Sequence, residues 1–353
     1  MVYNFNAGPS ILPREVFEEA SEAVLNFENT GLSILEFGHR TPRFTAVMEE
    51  ARQLVRDLMQ LDADREVLFL HGGASTQFMQ VPMNLLDVKD TAAYTDTGVW
   101  AAKAIKEARL FGKVEIVCSS KDKKYTSIPC DFAVPNDSRY LHITTNNTIY
   151  GTQWQQVPKT SNSLIADMSS DILSRELDFN SFDLIYAGAQ KNMGAAGVNL
   201  VVVNKNILGK VKRVIPTILD YRNHINEGSM LNTPPVFAVY VSLLTLRWLK
   251  KQGGVAAIEK LNNAKAAMLY KEIDENELFT GTVKTEDRSK MNVCFVMNDP
   301  TLESNFLKYA ESLSIIGIKG HRSVGGFRAS LYNALPMSSV EVLVKAMKDF
   351  SKN

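Results

Sequence analysis

Lys191 stands in "AGAQKNMGAAG" among Gly188, Gly194 and Gly197, with Ala187, Ala189, Ala195 and Ala196 close by. Small neighbours leave room beside its amine for something other than protein. The same residues also suit a tight hairpin with a solvated lysine at its tip. Upstream, "SLIADMSSD" ends an apolar run on Asp167. An acid there can cap a following helix, and a buried one can equally hold a cationic ring nitrogen. Brought to one edge, an amine and a carboxylate could grip opposite ends of one ring.

Anion chemistry has its own candidates. Gly38-His39-Arg40 and Gly320-His321-Arg322 repeat one tripeptide, and Arg328 follows in "GGFRASLYNA". Converging His and Arg would hold a phosphate or carboxylate, arginine through a two-pronged contact; scattered on a surface they would do nothing. In "FLHGGAST", Gly72 and Gly73 allow a turn whose N–H groups aim outward ahead of Ala74 and Ser75, a geometry that binds phosphate. It matches neither the dinucleotide fingerprint nor the Walker A pattern. Trp100, in "TGVWAAKA", is either core or a flat surface for a flat ligand.

The elements that must position these residues alternate. "REVLFLHGG", "TAAYTDTG", "KVEIVCSS", "RYLHITTNN", "SLIADMSSD", "FDLIYAG" and "VNLVVVN" read as short strands. "STQFMQVPMNLL", "VWAAKAIKEARLFG" and "PPVFAVYVSLLTLRWLK" read as packed helices. The pattern predicts an α/β fold with a mostly parallel sheet covered on both faces, and ligands beyond the carboxyl ends of its strands. From about Val255 the texture changes to a long helix, then strands near Met291–Met297 and Phe327–Leu331 with a helix between. The expected division is a large domain over 15–254 and a smaller α+β domain over 255–353, with residues 1–14 packing against the latter.

Composition excludes other roles. In 353 residues, Lys plus Arg equal Asp plus Glu at 39 each, so no global field draws the chain to nucleic acid or an anionic membrane. Cys118, Cys130 and Cys294 form no disulfide framework or metal pattern, which suits a reducing cytoplasm and no bound metal. The N-terminus lacks the basic-then-apolar pattern of a secretion signal. The most apolar stretch is interrupted by Ser242, Thr245 and Arg247 and falls short of a bilayer.

Taken in order, "NFNAGPSILP", "GHRTPRF", "HGGASTQF", "TDTGVW", "AGAQKNMG", "LNTPP" and "GHRSVGGFRASLYNA" resemble the phosphoserine aminotransferase family of class V pyridoxal-phosphate enzymes. The resemblance covers nearly the whole chain and implies fold type I, with a seven-stranded sheet in the large domain. It implies that Lys191 bonds to pyridoxal 5'-phosphate and shuttles a proton, and that Asp167 pairs with the ring nitrogen. It also implies ring stacking by Trp100 and a place for Thr148 near the ring hydroxyl. Ala74, Ser75 and Gln190 match the phosphate pocket; Asn232 and Thr233 match residues reaching the neighbouring subunit's cofactor, hence a homodimer with shared sites. Arg40 and Arg328 match substrate arginines, with His39, His321 and Arg322 near the substrate phosphate. Some relatives carry arginine where this chain has Ser75, which leaves more of the distal anion to the His/Arg group. The implied reaction exchanges an amino group between L-glutamate and 3-phosphohydroxypyruvate, giving phosphoserine and 2-oxoglutarate for serine biosynthesis. Some relatives also serve pyridoxine biosynthesis through a longer phosphorylated oxo-acid. The alternative is another class V enzyme, an alanine–glyoxylate or serine–pyruvate aminotransferase.

Overall fold

A computed structural model describes residues 2–129 and 131–352; Cys130 lies outside them. Seven strands form the main sheet: β1 (Arg65–His71), β2 (Thr91–Asp96), β3 (Lys113–Ser119), β4 (Tyr140–Thr144), β5 (Ser163–Asp167), β6 (Leu184–Gly188) and β7 (Val198–Asn204). Their spatial order is β1-β7-β6-β5-β4-β2-β3. Only β7 runs against its neighbours, pairing antiparallel with both β1 and β6; every other pairing is parallel. The mostly parallel sheet expected from the alternating pattern is therefore present.

Strand β7 shows why these residues make a sheet buried on both faces. Val198, Leu200 and Val202 enter one core, and Val201 and Val203 enter the other, as a period of two dictates. The first core is shared with α1 (Arg14–Asn26), α2 (Pro42–Met59) and α5 (Val236–Lys251); the second takes α3 (Gly73–Leu85) and α4 (Val99–Ala108). Helix α5 is buried along most of its length, which accounts for its nearly unbroken apolar sequence. No helix among the described residues is long and apolar enough to cross a membrane.

A third core lies around α6 (Gly254–Glu275), the sheet of β8 (Phe279–Gly281), β9 (Asn292–Met297) and β10 (Phe327–Ser330), α7 (Glu303–Ser312) and α8 (Met337–Phe350). Residues Tyr3–Asn4 pair with Ile315–Ile316, and Phe5 is buried in this third core. One departure from simple alternation matters for the site. The parallel crossover from β5 to β6 contains only a short 3-10 turn, Phe179–Ser181, rather than an α-helix. Strand neighbours Asp167 and Tyr186 are thus joined by irregular chain, some of which lines a cavity at the strand ends.

Candidate active site

The carboxyl ends of β1, β4, β5 and β6 fall on one edge of the sheet. Thr144 is in register with Asp167, and Asp167 with Tyr186. Because β7 runs backwards, its first residue, Val198, pairs with His71 at that same edge. The chain between β6 and β7, which carries Lys191, must therefore turn there. It is a hairpin connection, but Lys191 is not a solvated tip: it is partly buried and its Nζ donates to Thr148 Oγ1 at 2.9 Å.

A cavity of about 340 Å³ opens at this edge. Its walls include Lys191, Asp167, Trp100, Thr148, Gln190, Ala74, Ser75, His321 and Arg328. Nine residues singled out from the sequence are thus brought together by six separate stretches of chain. His39, Arg40, Arg322, Asn232 and Thr233 are not on its walls. Arg40 and Arg322 are exposed, and His39 Nε2 is buried without a partner. Asn232 lines a smaller separate cavity with His71 and His224. The Thr233 carbonyl meets His71 Nε2 at 2.7 Å.

Burial sets the electrostatics. Asp167 is 4% exposed. Desolvation raises its pKa above the ordinary carboxylate range, while the Ser169 N–H, donating to Oδ1 at 2.9 Å, and the Lys191 charge oppose that rise. A buried carboxylate in that condition gains strongly from any cation placed against it. Lys191 is pushed down to about 8 by burial; Asp167 pulls it up and Arg328 pushes it further down. His321 is lowered by burial and by Arg328, Arg322 and Lys103. Its imidazole hydrogen-bonds Ser323 Oγ through Nδ1 at 2.7 Å.

The anion cradle is built by backbone. Gly72 and Gly73 have φ of 93° and 66°, left-handed values that suit glycine. A Cβ on Gly72 would stand 2.9 Å from Thr76 Cβ and overlap the Thr76 hydroxyl. No side chain caps α3, so its first N–H groups and the positive helix end face the cavity beside Ala74 and Ser75.

Sequence reasoning missed part of the wall. Ala7, Gly8, Thr144, Asn146, Ser169 and Ser170 also line the cavity. Ser10 fixes the N-terminal segment there, its Oγ donating to the Lys191 carbonyl at 2.6 Å and its N–H to the Gln190 carbonyl at 3.0 Å. A Cβ on Gly8 would lie 3.5 Å from Lys191 Cγ. The glycine in "NAGPS" was a legible signal for such a close approach; the serines and asparagines were not, since they look like ordinary loop residues.

The chain matches the family described as Aminotransferase class-V over residues 2–343. It is a class V aminotransferase. Among its relatives, the phosphoserine aminotransferase of Flavobacterium johnsoniae is 59% identical over 347 residues, covering 98% of each chain. The phosphoserine aminotransferase structure from Bacillus circulans subsp. alkalophilus is 42% identical with a TM-score of 0.97, covering 100% of this chain and 99% of that one. A phosphoserine aminotransferase from Trichomonas vaginalis, solved with pyridoxal phosphate bound, is 36% identical with a TM-score of 0.94, covering 99% and 100%.

The aminotransferase cavity fits that group on its own chemistry. A phosphate suits the uncapped start of α3, a ring nitrogen suits Asp167, and an aldehyde suits an amine with a depressed pKa. Three buried polar atoms of wall residues, Trp100 Nε1, Thr144 Oγ1 and Arg328 Nε, have no partner within the chain, consistent with a polar guest.

Proposed function

We propose that this chain exchanges an amino group between L-glutamate and 3-phosphohydroxypyruvate, giving O-phospho-L-serine and 2-oxoglutarate, with pyridoxal phosphate held on Lys191. The observation that carries the reading is the convergence, in one cavity, of Lys191, Asp167, the start of α3 and the Arg328/His321 pair. When bound, the cofactor supplies an aldehyde carbon and an electron-withdrawing ring. Asp167 keeps the proton on the ring nitrogen by direct opposite-charge pairing. Lys191, with its pKa near 8, offers neutral amine at physiological pH and serves as the base that takes and returns the substrate Cα proton. Thr148 holds that amine in place through its Oγ1. Trp100 covers the ring face, and Ala74, Ser75 and Gln190 surround the cofactor phosphate.

Both substrates carry an α-carboxylate and a second anion. Arg328 binds the shared carboxylate by its planar fork. His321 and Arg322, on the stretch just before it, take the distal carboxylate or phosphate. His39, Arg40, Asn232 and Thr233, which stand off this chain's own cavity, complete the cavity of a second copy, making a homodimer with shared sites. The exposed apolar side chains of Phe17, Leu25, Leu32 and Leu35 support an interface on the N-terminal stretch. The division into 15–254 and 255–353, with 1–14 joined to the latter, is supported by the separate third core and the Tyr3–Asn4 pairing. The place of work is the cytoplasm, where glutamate and phosphorylated oxo-acids meet.

The test is a transamination assay with glutamate against 3-phosphohydroxypyruvate and glyoxylate. Phosphoserine formation at a kcat/KM well above that for glyoxylate is expected. A preference for glyoxylate would overturn the assignment in favour of the non-phosphorylated class V reaction.

A further inference from the structure

Resting on the substrate reading above, the geometry points to Asn292 as a positioning residue that sets the gap into which the substrate α-carboxylate fits. Asn292 is fully buried, at the start of β9. It does not itself line the cavity or bond Lys191, but segments leading to three parts of the wall meet at its side-chain amide. Its Oδ1 accepts from Asn146 Nδ2 at 2.8 Å. Its Nδ2 donates to Ser330 Oγ at 3.1 Å and to Tyr332 OH at 3.2 Å.

Each partner leads to a different wall. Asn146 lines the cavity just before Thr148, the residue that holds Lys191 Nζ, and also binds Ser170 Oγ at 2.8 Å. Ser330 closes β10, the strand that carries Arg328; Asn292 pairs with Ser330 and Cys294 with Arg328 in one register. Tyr332 OH donates to the Ala7 carbonyl at 2.8 Å, holding the N-terminal segment that lines the cavity and crosses Lys191. Through its own N–H, Asn292 also donates to Ser289 Oγ at 2.9 Å, and that hydroxyl donates to Asn146 Oδ1. The buried amide has all of its donors and its acceptor used, which is the condition in which such a network fixes one arrangement.

A second rung gives Asn292 a positional role beyond stability. Arg328 Nη1 reaches the Thr148 carbonyl at 3.4 Å, a long and weak contact. A carboxylate binding Arg328 competes for that guanidinium. Once it does, the Asn292–Asn146 rung still keeps β10 at its distance from the 146–148 segment. Losing that rung lets the arginine shift against Lys191 while the cofactor contacts of Asp167 and α3 stay untouched.

The experiment compares the holoenzyme with Asn292→Ala and Tyr332→Phe, reading KM for each substrate, kcat, cofactor occupancy by visible absorption, and melting temperature. KM should rise roughly tenfold in Asn292→Ala and about threefold in Tyr332→Phe. The factor should be the same for glutamate and the phosphorylated oxo-acid, because the α-carboxylate is common to both. Cofactor occupancy should be unchanged and kcat should change by no more than about twofold. Unchanged KM in both variants overturns the inference, as does a fall in kcat and melting temperature without a KM change. If Asn292→Ala does not fold, Tyr332→Phe alone decides by the same KM criterion. A wild-type enzyme that fails to transaminate these substrates overturns the functional reading itself, and so is told apart from failure of this inference.

Discussion

Lys191 should behave as an amine that loses its proton near pH 8, and two substitutions should move that point in opposite directions. Burial lowers its pKa from the ordinary 10.5 to about 8, with Asp167 opposing and Arg328 reinforcing the shift. The neutral form is the nucleophile, so covalent capture of pyridoxal phosphate by the cofactor-free protein should accelerate with pH and level off above about 8. At pH 7.5 an amine of pKa 10.5 is neutral about one part in a thousand, and one of pKa 8 about one part in four. The native fold thus enriches the reactive form by roughly 250-fold. Asp167→Asn removes the charge that favours the ammonium, so the midpoint should fall below 8. Arg328→Met removes a charge that disfavours it, so the midpoint should rise, and by less than Asp167→Asn lowers it, since Arg328 acts on this amine more weakly than Asp167 does. The assay mixes cofactor-free protein rapidly with excess pyridoxal phosphate across pH 6–10 and follows the visible absorbance of the bound form. A native midpoint near 10.5, or variants that move the same way, would refute the electrostatic account of this lysine.

Two further changes test the anion contacts. Arg328→Lys keeps the charge and loses the planar fork, so KM for both substrates should rise about tenfold while the capture midpoint stays near 8; steady-state kinetics beside the capture assay separates the two. Gly72→Ala forces a Cβ into the Thr76 side chain at φ 93°. It should cost about 1–3 kcal/mol of stability by denaturant titration and weaken cofactor retention on dialysis, because the α3 amides shift.

The strand-and-helix alternation was legible because a two-sided sheet demands apolar runs with glycine at the turns, as in β6 and β7. Lys191, Asp167 and the Gly72–Gly73 turn could be picked out for the same reason: each sits at the end of such a run. Two features were not legible. The crossover over 168–183 lacks the helix that alternation suggests, and its residues Ser169 and Ser170 instead line the cavity. The N-terminal segment lies across Lys191, far from it in sequence, and a loop's composition carries no record of what it will cover.

By itself, then, the sequence determined which residue types stood at strand ends and which stretches would be buried, since periodicity and glycine placement are local properties. Only the tertiary structure decided that β6 would lie parallel beside β5, bringing Lys191 to the edge that holds Asp167, and that Asn292 would join three walls. Both depend on pairing between segments distant in the chain. The same holds for the lysine's depressed pKa, because desolvation is a property of everything packed around an amine and not of its neighbours in sequence.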